Sequence, residues 1–266
     1  MTYAFLGLGN MAEAIIRGMR ASGRFEGERL QGYEIDQQRA ASLAEPLGLQ
    51  LTADAAQAIN QADVIVLAVK PQTLQSLLNE QAQALKGRLV ITIAAGKPIS
   101  FYEGLLGTKT PIIRVMPSLL ARVGLASSAV CANASVTAQQ LDIARDIFSA
   151  VGSVHELPEP LFAAFSAIGG AAPAFTFEYI DALASAGVKA GLSRALAQEV
   201  AAQMTRGSAQ LVQQAGIHPR QLMDQVCSPG GTTIEGVHAL ATHGFDHAVH
   251  EAVAAVIAKD QKLGAG

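Results

Sequence analysis

The sequence predicts an α/β protein whose first half is a doubly wound sheet and whose second half is entirely helical. Three observations predict this. Short apolar or β-branched runs alternate with helix-period segments over residues 1–115, the pattern of βαβ units. A glycine pattern, Gly7-Leu8-Gly9-Asn10-Met11-Ala12, separates the first run from the first helical segment. After Leu157 the strand-like runs vanish, and Ala-rich segments of 3.6-residue period continue to the C-terminus.

Each element has a local reason. Tyr3–Leu6 is an apolar run ending in glycine, and Leu30–Tyr33 is a second run ending at Glu34. Val64–Val69 (VIVLAV) is apolar throughout rather than alternating, as a strand covered by helices on both faces must be. Leu89–Ile93 and Ile112–Val115 are further strands, with Met11–Ser22, Gln37–Leu47, Pro71–Leu78 and Ile99–Leu106 as crossovers. Thr137-Ala-Gln-Gln140 reads as a capping box opening a helix to about Ser149, before a short strand near Ser153–Glu156. Pro158 and Pro160 fit a boundary or a helix start, because proline is tolerated in a first turn but not in a helix interior. The expected division is therefore 1–157 and 158–266. Ala174–Ala190, Arg194–Gln214, Pro219–Val226, Thr233–Thr242 and Phe245–Lys262 are the helices of the second part. With so few charges, their apolar surface predicts packing on a second chain, an obligate dimer.

A length of 266 residues allows one large or two smaller domains. Half the residues are hydrophobic and 15% charged, which excludes disorder as a global description. The net charge of −3 leaves no basic field for nucleic acid or an anionic membrane, so neither partner is expected. Cys131 and Cys227 are the only cysteines, too few for a disulfide framework, and are read as reduced thiols of a cytoplasmic protein. The N-terminus lacks the basic start of a signal peptide. Leu161–Phe177 is uncharged but short of a span and interrupted by Gly169, Gly170 and Pro173. It reads as a buried helical segment of a soluble protein.

Gly7 to Ala12 form GxGxxA. The first glycine permits a tight turn, the second lets backbone approach a pyrophosphate, and Ala12 allows close packing of helix on strand. In this position the pattern points to dinucleotide binding, against an ordinary glycine-rich turn. Glu34 lies where a carboxylate would accept hydrogen bonds from an adenosine ribose and repel the extra phosphate of NADP. Arg39 is the one compensating cation in the segment that follows, so NADH is favoured; the alternative is a solvated loop glutamate. Lys70, in Val69-Lys70-Pro71, stands at the carboxyl edge of the sheet, where ligands of open α/β sheets bind, and is otherwise an ordinary surface lysine. Ala94-Ala95-Gly96 shares that edge.

In the helical half, Cys227-Ser-Pro-Gly-Gly-Thr-Thr233 predicts a tight turn into a helix N-terminus, where unpaired N–H groups make a carboxylate socket. Ser228, Thr232 and Thr233 surround it with hydroxyls. The competing reading is a plain Ser/Thr cap. His243, His247 and His250 with Asp246 have metal-ligand types, but Gly244 interrupts the helix and a solvated or capping cluster is favoured; no metal is expected. Cys227 has no histidine adjacent in sequence to make it a nucleophile. His155 and His238 show no partner that sequence identifies.

Taken together, FLGLGNMAEAI at 5–15, LAVKPQ at 67–72, AAGKPI at 94–99, RVMPS at 114–118, GGAAPAF at 169–175, GVKAGL at 187–192 and CSPGGTTIEGVHAL at 227–240 make the chain resemble the delta-1-pyrroline-5-carboxylate reductases end to end. The resemblance implies a Rossmann-like first domain and a helical C-terminal dimerisation domain, assembled as a homodimer or a ring of dimers. It implies NAD(P)H reduction of pyrroline-5-carboxylate to proline, with substrate lying between the nicotinamide and the C-terminal loop. Thr233 would hydrogen-bond the ring nitrogen and be the catalytic residue. Gly231 and Thr232 would hold the carboxylate with Ser228 and Gly230, and Glu159 would lie near the substrate. Leu6, Gly7, Leu8, Gly9, Asn10, Met11, Glu34, Val69, Lys70, Ala95 and Gln225 would line the cofactor site.

The chain departs from the family pattern at Ser118, where Asn is usual, and at Ala55, where an Asn often reaches the cofactor. Ala241 replaces an acidic or amide residue, and Glu34 replaces the small hydroxyl residue of some NADP-using relatives. Two other functions share the first half. A hydroxyacid dehydrogenase would carry a lysine in its glycine-rich helix, and GGAAPAFTFE has none. A noncatalytic dinucleotide sensor would have no use for a carboxylate socket.

Overall fold

The computed structural model describes residues 1–264. Its chain divides into two compact units, Met1–Ala171 with Val256–Gly266, and Ala172–Ala255. The first unit runs past the expected division at 157. Phe162 is the reason: it is 2% exposed and belongs to the hydrophobic cluster beneath the sheet.

The first unit holds β1 (Thr2–Leu6), α1 (Asn10–Ala21), β2 (Arg29–Tyr33), α2 (Gln37–Leu47), β3 (Gln50–Leu51), α3 (Ala55–Asn60), β4 (Val64–Leu67), α4 (Pro71–Leu85), β5 (Leu89–Thr92), α5 (Ile99–Leu106), β6 (Ile112–Met116), β7 (Ala126–Ala132), α6 (Ala138–Ser149) and β8 (Gly152–Glu156). The strands form one sheet in the order β3-β2-β1-β4-β5-β6-β7-β8. All pairs are parallel except β6 with β7, so the sheet is mixed rather than purely parallel. The link from β6 to β7, built on the 3-10 turn Leu119–Val123, is too short for a crossover, and the chain has to return antiparallel. The short β3 and α3 and the strand β7 are additions to the elements expected from sequence. The β7 segment ASSAVCA lacks β-branched density and takes its strand geometry from register with Ile113–Met116.

Helices cover both faces, giving two cores. Val64 and Val66 point into one with Ile15, Ile16 and Phe148; Ile65 and Leu67 point into the other with Leu74, Leu78 and Tyr102. That alternation explains why β4 is apolar at every position. The Thr137–Gln140 capping box forms in both directions. Burial pushes the Tyr102 phenol, hydrogen-bonded to Thr92 at 2.6 Å, up to about 12. The Cys131 thiol, in the same core, is likewise pushed up to about 12 by burial.

After a 3-10 turn at Glu159–Leu161, with Pro160 in it, come α7 (Phe162–Phe165) and a π-helical turn at Ser166–Ala171. Extra residues per turn of this kind fit a stretch holding Gly169 and Gly170. The second unit contains α8 (Ala172–Lys189), α9 (Arg194–Ala215), α10 (Pro219–Val226), α11 (Thr232–Thr242) and the start of α12 (Phe245–Gly264). Only Ala184, Ala197 and Ala201 form a buried cluster there, with Ile180, Leu183 and Val188 against it. Leu196, Val200, Met204 and Leu211 on α9 are 46%, 53%, 40% and 50% exposed. The expectation that Leu161–Phe177 is buried is corrected: Leu161, Ile168 and Phe177 are at least half exposed in the single chain. Glu159–Lys189 is, by length and composition, the one helical run among the described residues apolar enough to cross a membrane. Apolar surface on this scale needs cover that one chain does not provide.

Candidate active site

The first component lies at the carboxyl ends of β1, β2 and β4. Gly7 ends β1 with φ +92°, and a Cβ there would sit 2.9 Å from the backbone of Ala68 and Val69. Only glycine lets β1 turn this closely past β4. The Gly7 N–H donates to Tyr33 O at 2.8 Å, tying the turn to β2. Gly9 precedes α1 in an extended conformation, has no atom within 4 Å of where its Cβ would be, and gives the helix no side-chain cap. The first amides of α1 therefore face open space, a ready anion site. Ala12 is 1% exposed, as close packing of α1 requires.

Beside this turn is a cleft of about 620 Å³ lined by Leu6, Gly7, Gly9, Tyr33, Glu34, Ile35, Asp54, Ala55, Val69 and Lys70, with Thr73, Ser76 and Glu80 from α4. A cradle over glycine, next to a helix N-terminus without a side-chain cap, fits a dinucleotide; its diphosphate would lie over Gly7–Gly9 and its adenosine toward β2. Leu6, Gly7, Gly9, Glu34, Val69 and Lys70 line the cleft as a cofactor site would require. Leu8 instead sends its side chain into the core. Asn10 opens α1 with its side chain toward Arg39, and Met11 packs on the core. Ala95 is exposed on the turn after β5, and Gln225 is exposed on α10.

Glu34 is held at both oxygens. Its Oε2 accepts the Leu8 N–H at 2.8 Å and its Oε1 the Asp36 N–H at 3.2 Å. Arg39 Nε donates to Leu8 O at 2.6 Å, and its Nη2 reaches Asn10 Oδ1 and Glu13 Oε2, both at 3.3 Å. Lys70 precedes α4, exposed and in no ion pair among the described residues. Sequence reasoning missed Ile35, 74% exposed at the cleft lip, and Asp54, which caps α3 by accepting the Gln57 N–H at 2.7 Å. The D-x-x-Q spacing was the available signal for Asp54.

Glu159 belongs to the first unit. Its Oε1 accepts the Ile99 N–H and Arg114 Nη1, both at 2.8 Å, so it caps α5 from a distant part of the chain. Arg114 also lies 4.8 Å from the Phe162 ring. A cavity of about 340 Å³ opens on Arg114, Glu159 and Phe162.

The second component is the turn between α10 and α11. Gly230 has φ +67°, and the Gly231 N–H donates to Ser228 O at 3.0 Å. A Cβ on Gly231 would lie 2.3 Å from Ser228 Oγ, so a side chain there would push the Ser228 hydroxyl aside. Gly231 leads α11 with no side-chain cap. The plain Ser/Thr cap is therefore overturned: neither Ser228 nor Thr232 fills the helix N-terminus, and the first amides stand open between exposed hydroxyls of Ser228, Thr232 and Thr233. This geometry can take a carboxylate. Gly244, with φ +75°, separates α11 from α12, and Asp246 lies 3.6 Å from Arg220. Among the described residues, no three His, Cys, Asp or Glu side chains come together as a metal site.

Residues 159–263 match a model described as pyrroline-5-carboxylate reductase dimerisation, and residues 2–96 one described as NADP oxidoreductase coenzyme F420-dependent. A pyrroline-5-carboxylate reductase of Methanosarcina acetivorans is 37% identical over 98% of this chain and 97% of its own length. The crystal structure of the Plasmodium falciparum pyrroline carboxylate reductase with NADP bound superposes with TM-score 0.89 at 31% identity, covering 99% of this chain and 98% of that one. A Coxiella burnetii pyrroline-5-carboxylate reductase gives TM-score 0.92 at 30% identity over 98% and 97%. An open dinucleotide cradle, an uncapped glycine-threonine turn and a likeness sustained over nearly the whole length agree: the chain belongs to the pyrroline-5-carboxylate reductase family.

Proposed function

We propose that this protein reduces L-1-pyrroline-5-carboxylate to L-proline, the last step of proline biosynthesis, as an NAD(P)H-dependent oxidoreductase. The observation that carries it is the 37% identity sustained over 98% of the chain. Residues 1–157 serve as the cofactor domain and 158–266 as the dimerisation and substrate-binding domain. The chain works as a homodimer, which can build a ring of dimers, in the cytoplasm. Its partners are the small substrate and its own copies, with no metal, nucleic acid or membrane involved. The bare apolar face of α9 supports self-association.

The cyclic imine is a weak electrophile until its nitrogen is protonated, and it can bring that proton from water. The chain then has to orient the ring rather than acidify it. Bound NAD(P)H supplies the hydride, which adds to the imine carbon. The backbone at Gly231 and Thr232 holds the substrate carboxylate through the open amides of the first turn of α11, while the Gly231 N–H itself closes the turn onto Ser228 O, with Gly230 and Ser228 shaping it. Thr233 Oγ1 hydrogen-bonds the ring nitrogen, and Glu159 is the acidic residue on the substrate side. Gly7, Gly9, Glu34, Val69 and Lys70 bind the cofactor from the cleft; Leu6, Leu8, Asn10, Met11, Ala95 and Gln225 complete that assignment.

The test is loss of reduced-nicotinamide absorbance when purified protein meets pyrroline-5-carboxylate, beside a hydroxyacid offered with NAD. Oxidation with the imine and no reaction with the hydroxyacid are expected. The reverse result makes the protein a hydroxyacid dehydrogenase, and inertness toward both makes it a binding protein.

A further inference from the structure

We propose that this chain is built to prefer NADH to NADPH, with Glu34 as the residue that disfavours the ribose 2′-phosphate. The inference deepens the reductase reading and rests on it for the identity of the ligand. Three separate observations converge on the segment after β2, where the adenosine ribose would lie.

Glu34 is tethered toward the cleft. Both its oxygens are engaged by backbone N–H groups, at 2.8 Å from Leu8 and 3.2 Å from Asp36. A 2′-phosphate would meet a fixed carboxylate lining the cleft. The second anion site, the N-terminus of α2, is already filled: Asp36 Oδ1 accepts the Gln38 and Arg39 N–H groups at 3.1 and 3.0 Å. The third potential partner of a phosphate, the donor Arg39, is spent on Leu8 O, Asn10 and Glu13. Asp54 and Glu80 add further carboxylates to the lining.

Lys70 is the cation of the cleft lining, but it follows β4 whereas Glu34 follows β2, with β1 between them. Two strand spacings separate their backbones, about 10 Å, which places Lys70 nearer the diphosphate than the 2′-position. Discrimination therefore comes from repulsion at a fixed charge, without a compensating cation.

The experiment is calorimetric titration of the purified full chain with NADH and NADPH, and with ADP and adenosine 2′,5′-bisphosphate as fragments that carry no nicotinamide. NADH is expected to bind at least about tenfold more tightly than NADPH, with the fragments in the same order. Glu34→Gln keeps an acceptor for the Leu8 N–H while removing the charge, and it should narrow the gap by about tenfold through gained NADPH affinity. Arg39→Ala should weaken both cofactors equally, because Arg39 supports Leu8 rather than a phosphate. Equal or tighter NADPH binding by the native chain, an unchanged ratio in Glu34→Gln, or an NADPH-specific loss in Arg39→Ala overturns the proposal. Failure to oxidise NADH with pyrroline-5-carboxylate, with the binding ratio intact, overturns the reductase reading alone.

Discussion

Arg114 Nη1 donates to Glu159 Oε1 at 2.8 Å, joining strand β6 to the 3-10 turn that follows β8. The same oxygen accepts the Ile99 N–H, so a single carboxylate neutralises a guanidinium that is 8% exposed and caps α5. Glu159 thus has a structural duty in addition to the substrate role proposed for it.

Removing one partner of such a pair strands a buried charge. Arg114→Met should cost about 3 kcal/mol, and Glu159→Gln should cost less because an amide oxygen still accepts from Ile99. Urea unfolding of both variants checks the order; no loss in either would mean that the pair itself contributes nothing.

The turn at Gly7 tolerates no side chain. Gly7→Ala combines φ +92° with backbone atoms at 2.9 Å, and a loss of about 2 kcal/mol or more is expected. Calorimetry should show that nucleotide affinity falls with it, whereas the open surroundings of Gly9 make Gly9→Ala milder in stability.

At the other component, Thr233→Val keeps shape and removes the hydroxyl. Turnover should fall by about tenfold to a hundredfold if orientation of the ring is the role, with cofactor affinity unchanged in direct binding. A turnover equal to that of the native chain would remove Thr233 from the mechanism. Gly231→Ala should act through substrate KM, since its Cβ would lie 2.3 Å from Ser228 Oγ and force that hydroxyl to move.

Charge placed on the exposed stripe of α9 should separate subunits. Val200→Asp, at a position 53% exposed in the single chain, would put a carboxylate in a covered apolar contact, which costs several kcal/mol. Sedimentation should then show monomer and a lower Tm; an unchanged assembly would locate the contact elsewhere.

Stability should fall in alkali. Burial raises Tyr102 from 10.0 and Cys131 from 9.0 to about 12 each, so the folded chain keeps both protonated where the unfolded chain ionises. Their contribution is complete below about pH 9 and is lost as pH rises from there toward about 12. Urea midpoints at about pH 8 and about pH 11 should differ, and Cys131→Ala should reduce the difference.

Much of the cofactor half could be read from the chain because its signals are local. The GxGxxA turn, the Thr137–Gln140 box and the all-apolar β4 each follow from spacing alone, and the observed elements match them. The strand β7 could not be read, because Ser127 and Ser128 carry no strand preference and only pairing with β6 holds them extended. In the helical half, the Pro-Gly-Gly turn was visible, but whether a hydroxyl would fill the helix N-terminus was not. Side-chain rotation decides that, and both answers fit the same residues.

Residue order by itself determined the alternation of elements, the glycine turns and the class of chemistry, since these depend on period, backbone freedom and residue type within a few positions. Tertiary structure alone decided that Glu34 grips Leu8, that Arg39 is already occupied and that Glu159 caps α5. Those contacts join residues 26 to 60 positions apart, and a charged side chain takes whichever partner the fold brings within hydrogen-bond reach.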